Sequence, residues 1–267
     1  MSGDNTRFNR RTYLKLTGAS GVAMMTAGCL GDLTGGGGDD MTIVAGTAPG
    51  FPPFEMKEGG ELVGFDVDLL EAVVEETDYT LKSWNEYEFK TLIPSLANNK
   101  IDVIAAAMTI TDERDEKIDF TDPYYSADQG ILVRTGGDFQ PSQLDDLSGH
   151  DVGAQQGTTG ENVVKTQLIE KGKLKSSKYN SYGNYVLAVK DLQNGNIDAL
   201  VLDTPVAKTF SAQRPVSIAF EITTGENYGF GVQTNDDDLT EALNSGLSAV
   251  RDSGKYEEIT TKWFASE

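Results

Sequence analysis

The chain has 267 residues, 42 of them acidic against 22 basic, for a formal net charge of −20. That length suits one large domain or two ordinary ones, with enough chain to bury a core, and so anionic a surface would be repelled by backbone phosphates, which argues against a nucleic-acid partner. A single cysteine, Cys29, and a single histidine, His150, exclude an intramolecular disulfide and a Cys/His zinc site, so no metal or other cofactor is expected.

The N-terminus reads as an address. NRRTYLK (9–15) places Arg10 and Arg11 ahead of the mildly apolar stretch LTGASGVAMMTAG, which ends in small residues before Cys29. A positive region, a short apolar region and a small-residue cleavage site make a secretory signal over residues 1–28, too short to span a bilayer. The arginine pair resembles a twin-arginine export signal of the haloarchaeal type. TAGC resembles a lipobox with Thr26 in place of leucine, which would leave Cys29 as a lipidated first residue. Removing residues 1–28 takes four basic residues and one acidic one, moving the net charge to −23. GDLTGGGGDD (31–40) is a flexible tether, so 29–40 forms a lipid-anchored linker. It is not a phosphate loop, since no strand precedes it and no Lys-Ser/Thr follows.

From Met41 strands and helices alternate. MTIVAG reads as a strand. GFDVDLLEAVVEET carries Val67, Leu69, Leu70, Val73 and Val74 at helical spacing. TLKSWNEY reads as a strand, FKTLIPSLANNK as a helix, and IDVIAAAM as a strand buried on both faces. A second set follows residue 128: strand GILVRT, short helix PSQLDDL, strand HDVGAQ, helices TGENVVKTQLIEKG and NYVLAVKDLQNG, and buried strand IDALVLD. The rhythm is that of two α/β units, each a mostly parallel sheet flanked by helices. SLANNKIDVIAA (95–106) and DLQNGNIDALVL (191–202) align without a gap, so both units carry one helix-to-strand element. The strand ends that follow, TITDER and LDTPVA, are where an open α/β sheet binds ligand. His150, in LSGHDVG, reads as a surface-turn residue, since no G-x-S-x-G elbow accompanies it.

Arg114 stands alone among Asp112, Glu113, Asp115 and Glu116, just past a buried strand. Two readings are open. It pairs with those acids on the surface, or it presents a guanidinium to a carboxylate ligand. Asp203, before Thr-Pro, taken alone reads as a helix cap. Phe51 and Phe89 taken singly read as core packing.

GTAPGFPPFE, GFDVDLLEAV, TLIPSLANNKIDVIAAAMTITDERDEKIDFTDPYY, VGAQQGTTGE and IDALVLDTPVA occur in that order, and the chain closes with GLSAVRDSGKYEEITTKWF. Over residues 41–267 this resembles the family 3 extracellular solute-binding proteins, the polar amino-acid receptors of ABC importers. The resemblance implies a two-lobed periplasmic-binding-protein fold of type II. Lobe 1 would hold 41–127 plus 227–267 and lobe 2 would hold 128–226, with crossings near Ser126–Gly130 and Thr223–Tyr228. It implies a monomer that binds one amino acid without catalysis and hands it to a permease at the outer face of the cytoplasmic membrane. By position, Arg114 would clamp the α-carboxylate with help from Thr109 and the backbone of Ala107, and Asp203 would accept the α-ammonium. Thr158 and Thr159 would add donors, Phe51 and Phe89 would wall the side chain, and Gln155 would sit in the pocket. Basic- and glutamine-binding relatives often have an acid where this chain has Ala48. Ala48 and the neutral amide of Gln155 therefore favour a neutral polar amino acid.

Two other functions are weighed. Cyclohexadienyl dehydratases, which act on prephenate-like acids, resemble the same family and need a general acid; Glu55 and Glu161 are the nearest candidates. A sensor domain would be expected to accompany a transmembrane or kinase module, which this sequence does not show.

Overall fold

In the computed structural model, residues 41–264 are described; the export signal with Arg10 and Arg11, Cys29 and the glycine-rich tether lie outside them. The first stretch runs β1 (Thr42–Thr47), β2 (Met56–Glu58), β3 (Glu61–Val63), α1 (Phe65–Glu75), β4 (Thr80–Glu86), α2 (Leu92–Ala97), β5 (Val103–Ile104), α3 (Asp112–Asp115) and β6 (Asp119–Phe120). A long strand, β7 (Tyr125–Arg134), leads to β8 (Val152–Gln155), α4 (Thr159–Val163), β9 (Tyr179–Tyr182), α5 (Tyr185–Asn194), β10 (Ala199–Asp203) and α6 (Thr204–Gln213). The chain returns along β11 (Val216–Tyr228), then β12 (Gly231–Val232), and closes with α7 (Asp237–Asp252) and α8 (Lys255–Phe264).

Two five-stranded sheets result, ordered β4-β1-β5-β12-β6 and β11-β7-β10-β8-β9. In the first, β1 runs parallel to β4 and β5, and β12 is antiparallel to β5 and β6. In the second, β8 runs parallel to β9 and β10, and β7 is antiparallel to β10 and β11. The parallel halves come from the strand–helix alternation, and the antiparallel halves are added where the chain crosses over and returns. β7 and β11 pair with each other at one edge of the second sheet, from Val216 against Arg134 to Tyr228 against Tyr125.

Helix α1 buries Val67, Leu69, Leu70, Val73 and Val74, the stripe its spacing predicts. Each such side chain contributes roughly 1.5–3 kcal/mol when fully buried. α7 lays Leu239, Leu243, Leu247 and Val250 on that side. The two helices approach closely at Gly246, where a Cβ would meet the Val73 carbonyl oxygen at 2.4 Å. The C-terminal segment thus covers the first sheet.

The internal echo is a structural repeat. Its aligned positions 99 and 195 are both left-handed, Asn99 with φ 53° and Gly195 with φ 79°, as a helix C-terminus demands. Three positions further on, Asp102 and Asp198 both accept a backbone N–H: that of Val44 in β1 at 2.7 Å and that of Asp151, just before β8, at 3.1 Å. Each unit uses one carboxylate to set the start of its central ladder.

One predicted strand is shorter than expected. IDVIAAAM is buried apart from Asp102, but its ladder stops at Ile104. Ala107 turns to φ 45° and gives its N–H to Asp66 Oδ2 at 2.6 Å. Burial made the run look like strand; a helix side chain captures its end.

Candidate functional site

The C-terminal ends of β1, β5, β8 and β10 converge on one small cavity. From the first sheet's side it is lined by Phe51, Glu55, Phe89, Ala106, Ala107, Thr109 and Arg114, and from the second by Gln155, Thr158, Thr159 and Asp203. All nine residues singled out as ligand contacts are therefore brought together, joined by Glu55 and Ala106.

Arg114 lies in the one-turn helix α3, whose N-cap Thr111 accepts the Arg114 N–H. The residue is 9 % exposed. Nη1 donates to the Thr109 carbonyl at 2.6 Å and Nη2 to the Gly157 carbonyl at 2.9 Å. The guanidinium also sits 5.3 Å from the Phe89 ring centroid. Surface pairing with the adjacent acids is not found: Glu113 pairs with Lys117 at 2.8 Å, and among the described residues no carboxylate forms an ion pair with Arg114. Burial pulls the Arg114 pKa down, while Asp203 and Glu226 push it back up. A fork of five donors is thus held at a cavity wall with two spent on carbonyls.

Asp203 occupies the N-cap position of α6 yet makes no side-chain capping bond. Its Oδ1 instead accepts from Gln129 Nε2 at 2.7 Å. Burial first, then Glu226, pushes the Asp203 pKa well up. Gln129 also donates to Glu226 Oε1 at 2.8 Å, and Thr109 Oγ1 donates to Glu226 Oε2 at 2.8 Å. A buried network therefore runs from Thr109 through the crossing strands to Asp203. Sequence reading missed Gln129 and Glu226. A buried glutamine and glutamate on the two crossing strands are visible only once β7 and β11 are paired.

Thr158 caps α4 by accepting the Glu161 N–H at 3.2 Å and donates to the Gln155 carbonyl at 2.8 Å. Thr159 Oγ1 donates to Thr109 Oγ1 at 3.1 Å, so the two sides of the cavity touch. The Ala107 N–H is already held by Asp66, which leaves its carbonyl as the backbone group it can offer. The Phe51 ring stands 5.6 Å from Tyr185, and Gln155 ends β8 within the lining. Ala48, buried under α2 with Leu92 and Leu96, is not a lining residue.

Of the two candidate acids, Glu161 is committed elsewhere. It accepts from the Gly157 N–H, Lys165 and Tyr179, all at 2.8–2.9 Å. Burial pushes its pKa up, but those bonds outweigh it and hold the carboxyl low. Glu55 is the opposite case, with its carboxyl pushed well up by burial, then by Asp66 and Asp203. His150 stacks on Phe139, contacts Asp198 at 3.1 Å and does not line the cavity. Among the described residues no cluster of His, Cys, Asp or Glu is arranged to hold a metal. No helix among them is long and apolar enough to cross a membrane.

A guanidinium from one side and the Asp203 carboxyl from the other, closed between two α/β lobes, define a cleft suited to a small zwitterion. The chain belongs to the bacterial extracellular solute-binding proteins, family 3, whose model matches residues 43–266. It is 35 % identical over 226 residues to a probable histidine-binding protein of Campylobacter jejuni, covering 84 % of this chain and 85 % of that one. An ancestral arginine-binding protein bound to arginine superposes with a TM-score of 0.78 at 37 % identity, covering 84 % of this chain and 98 % of that one. An ancestral amino acid-binding protein, a precursor of cyclohexadienyl dehydratase, superposes at 0.77 with 31 % identity, covering 85 % and 96 %.

Proposed function

We propose that the protein is an exported amino-acid receptor that delivers its ligand to an ABC importer without catalysis. The observation that carries this reading is the placement of Arg114 and Asp203 on opposite sides of one closed cavity. Arg114 takes the α-carboxylate bidentately, with the Thr109 hydroxyl and the Thr158 and Thr159 hydroxyls beside it. Asp203 takes the α-ammonium. The zwitterion then binds both lobes at once and favours the closed state through contacts that an open cleft lacks. The lobes divide near Ala127 and Asn227, where β7 and β11 cross. Export follows the twin-arginine signal at Arg10 and Arg11, and Cys29 carries the lipid that holds a monomer at the outer membrane face.

For the side chain, the neutral amide of Gln155 and the absence of an acid at Ala48 favour a neutral polar ligand. The named relatives are histidine- and arginine-binding, so cationic amino acids form the contrasting arm of the test. A thermal-shift screen of the twenty amino acids on the purified full chain in concentrated salt should raise the melting temperature for one or a few. Arg114→Ala should abolish that shift, with at least about a hundredfold loss of affinity, as expected when a buried charged contact worth roughly 3 kcal/mol or more is truncated. A cationic ligand at the head of the screen would reverse the side-chain assignment alone. A well-folded protein that answers to no amino acid would overturn the receptor reading. Turnover of a prephenate-like acid would move the protein to the dehydratase class, for which Glu55 is the acid the cavity offers.

A further inference from the structure

Thr109 has one hydroxyl proton, and in the folded protein that proton is already given away. Its Oγ1 donates to Glu226 Oε2 at 2.8 Å, while the hydroxyl that Thr159 brings from the other side of the cavity donates to Thr109 Oγ1 at 3.1 Å. A hydroxyl carries one donor and two lone pairs. As it stands, Thr109 can offer the cavity a lone pair but no proton.

The backbone fixes this pairing. Residues 108–110 run antiparallel to the end of β11, with the Ile110 N–H on the Asn227 carbonyl at 2.8 Å and the Gly229 N–H on the Met108 carbonyl at 3.2 Å. Thr109 is thereby bridged to Tyr228 and brought beside Glu226. Glu226 is 6 % exposed and does not line the cavity. Both of its oxygens act as acceptors. Oε2 takes the Thr109 hydroxyl, and Oε1 takes Gln129 Nε2 and the Thr224 hydroxyl, both at 2.8 Å. Gln129 lies on β7 and Thr224 on β11, so one carboxyl gathers both crossing strands and one wall of the cavity.

A ligand carboxylate beside Arg114 seeks the same proton, and one O–H serves one acceptor at full strength. We infer that Glu226 is a positioning residue that competes with the α-carboxylate of the ligand for the Thr109 hydroxyl. Binding then exchanges one hydrogen bond for another. Thr109 turns its O–H to the ligand and releases Glu226 Oε2, while Gln129 and Thr224 keep hold of Oε1. The Thr109 hydroxyl therefore adds little net affinity, and occupation of the cavity is felt at the crossing strands. This inference rests on the amino-acid reading given above.

A single substitution would mix this competition with charge. Burial lowers the Arg114 pKa, which Asp203 and then Glu226 raise, and burial and then Glu226 raise that of Asp203. A double-mutant cycle cancels such distant effects. In Glu226→Gln the amide oxygen must face Gln129 and Thr224, which both donate to it. The amide nitrogen then points at Thr109 as a donor and leaves the Thr109 proton free for the ligand. Thr109→Val removes the hydroxyl and keeps the branched shape. Titration calorimetry of the full chain with each of the twenty L-amino acids that the wild type binds compares this substitution in the two backgrounds. The affinity lost on Thr109→Val should be at least threefold greater in the Glu226→Gln background, because only there does the ligand gain a bond instead of exchanging one. A smaller ratio, or a greater loss in the wild-type background, overturns the inference. Thr109→Ser keeps the hydroxyl, so its effect should differ by less than threefold between the backgrounds; a serine that behaves as the valine does assigns the effect to shape and overturns the inference. Thr109→Ala serves by the same criteria where the valine variant does not fold. If the wild type binds none of the twenty, the receptor reading falls and takes this inference with it, whereas binding with too small a ratio removes the inference alone.

Discussion

Asp66 links the first turn of α1 to the floor of the cavity. One of its oxygens, Oδ2, accepts from both the Ala107 N–H and the Tyr124 hydroxyl at 2.6 Å each, and the other has no partner. Burial pushes its pKa up to about 7, against the pull of those two donors. The folded protein therefore holds a proton on Asp66 that the unfolded chain releases near pH ~4. Its contribution to stability is present below that pH and is lost as pH rises from about 4 to about 7, by up to about 4 kcal/mol. Glu55 acts in the same sense and Glu161, held low, in the opposite one, so the difference between wild type and Asp66→Asn isolates the effect. The asparagine keeps one oxygen for both donors. Its ligand-free melting temperature should fall less steeply across this window than that of the wild type; parallel curves would show that Asp66 is ionised in the fold. Among single residues, legibility in the sequence varied with how odd the local composition was. Arg114 stood out because it is one base among four acids. Glu55 drew notice only as one of two candidate acids for the dehydratase alternative, because nothing local in PPFE says that the side chain faces inward.

Elements were legible where periodicity fixed them and obscure where a neighbour redirected them. The stripe of α1 and the echoed helix-to-strand units could be read directly, down to the turn residues Asn99 and Gly195. The hairpin β2–β3 and the full length of β11 could not, since neither has a strong alternation of its own. Asp203 illustrates redirection: its place before Thr-Pro favours a cap, but the Gln129 side chain from β7 draws the carboxylate away. Gly64 is the joint on which the site's first wall depends. Its φ is 147°, and a Cβ there would lie 2.0 Å from the Phe54 carbonyl oxygen. Gly64→Ala should force the Phe51–Glu55 turn off the start of α1 and destabilise the protein by more than about 2 kcal/mol. Denaturant melts would show the loss, and a variant as stable as wild type would mean that the turn moves freely. Because that turn carries Phe51 and Glu55, ligand affinity should fall with it.

At the scale of the molecule, the crossing strands decide how the two sheets face each other. Between Ile222 and Glu226 the pairing of β11 with β7 slips, and the displaced N–H groups of Thr224 and Gly225 are taken by Asp128 Oδ1 at 2.8 and 2.9 Å. Such a bulge bends its strand. Here it stands beside Glu226 and Gln129, which reach Thr109 and Asp203 on the two sides of the cavity. Direct contacts join those sides: Arg114 to Gly157, Thr159 to Thr109, and Lys90 to Gln156 at the rim. These are few and small, so an amino acid that engages both sides should shift the balance between open and closed forms. Small-angle scattering should show the radius of gyration shrinking on addition of the best ligand of the screen, and an unchanged profile would set lobe closure aside.

The sequence by itself determined the α/β alternation, the repeat of one unit in two lobes, the family, and the residue types at the ends of four strands, because all of these rest on local periodicity and on order along the chain. Only the tertiary structure decided which carboxyls face inward and which are already spoken for. Glu55, Asp66, Gln129 and Glu226 lie far from Arg114 and Asp203 in sequence. Their state depends on burial and on partners supplied by other elements, and neither quantity exists until the sheets are paired and the cavity between them is closed.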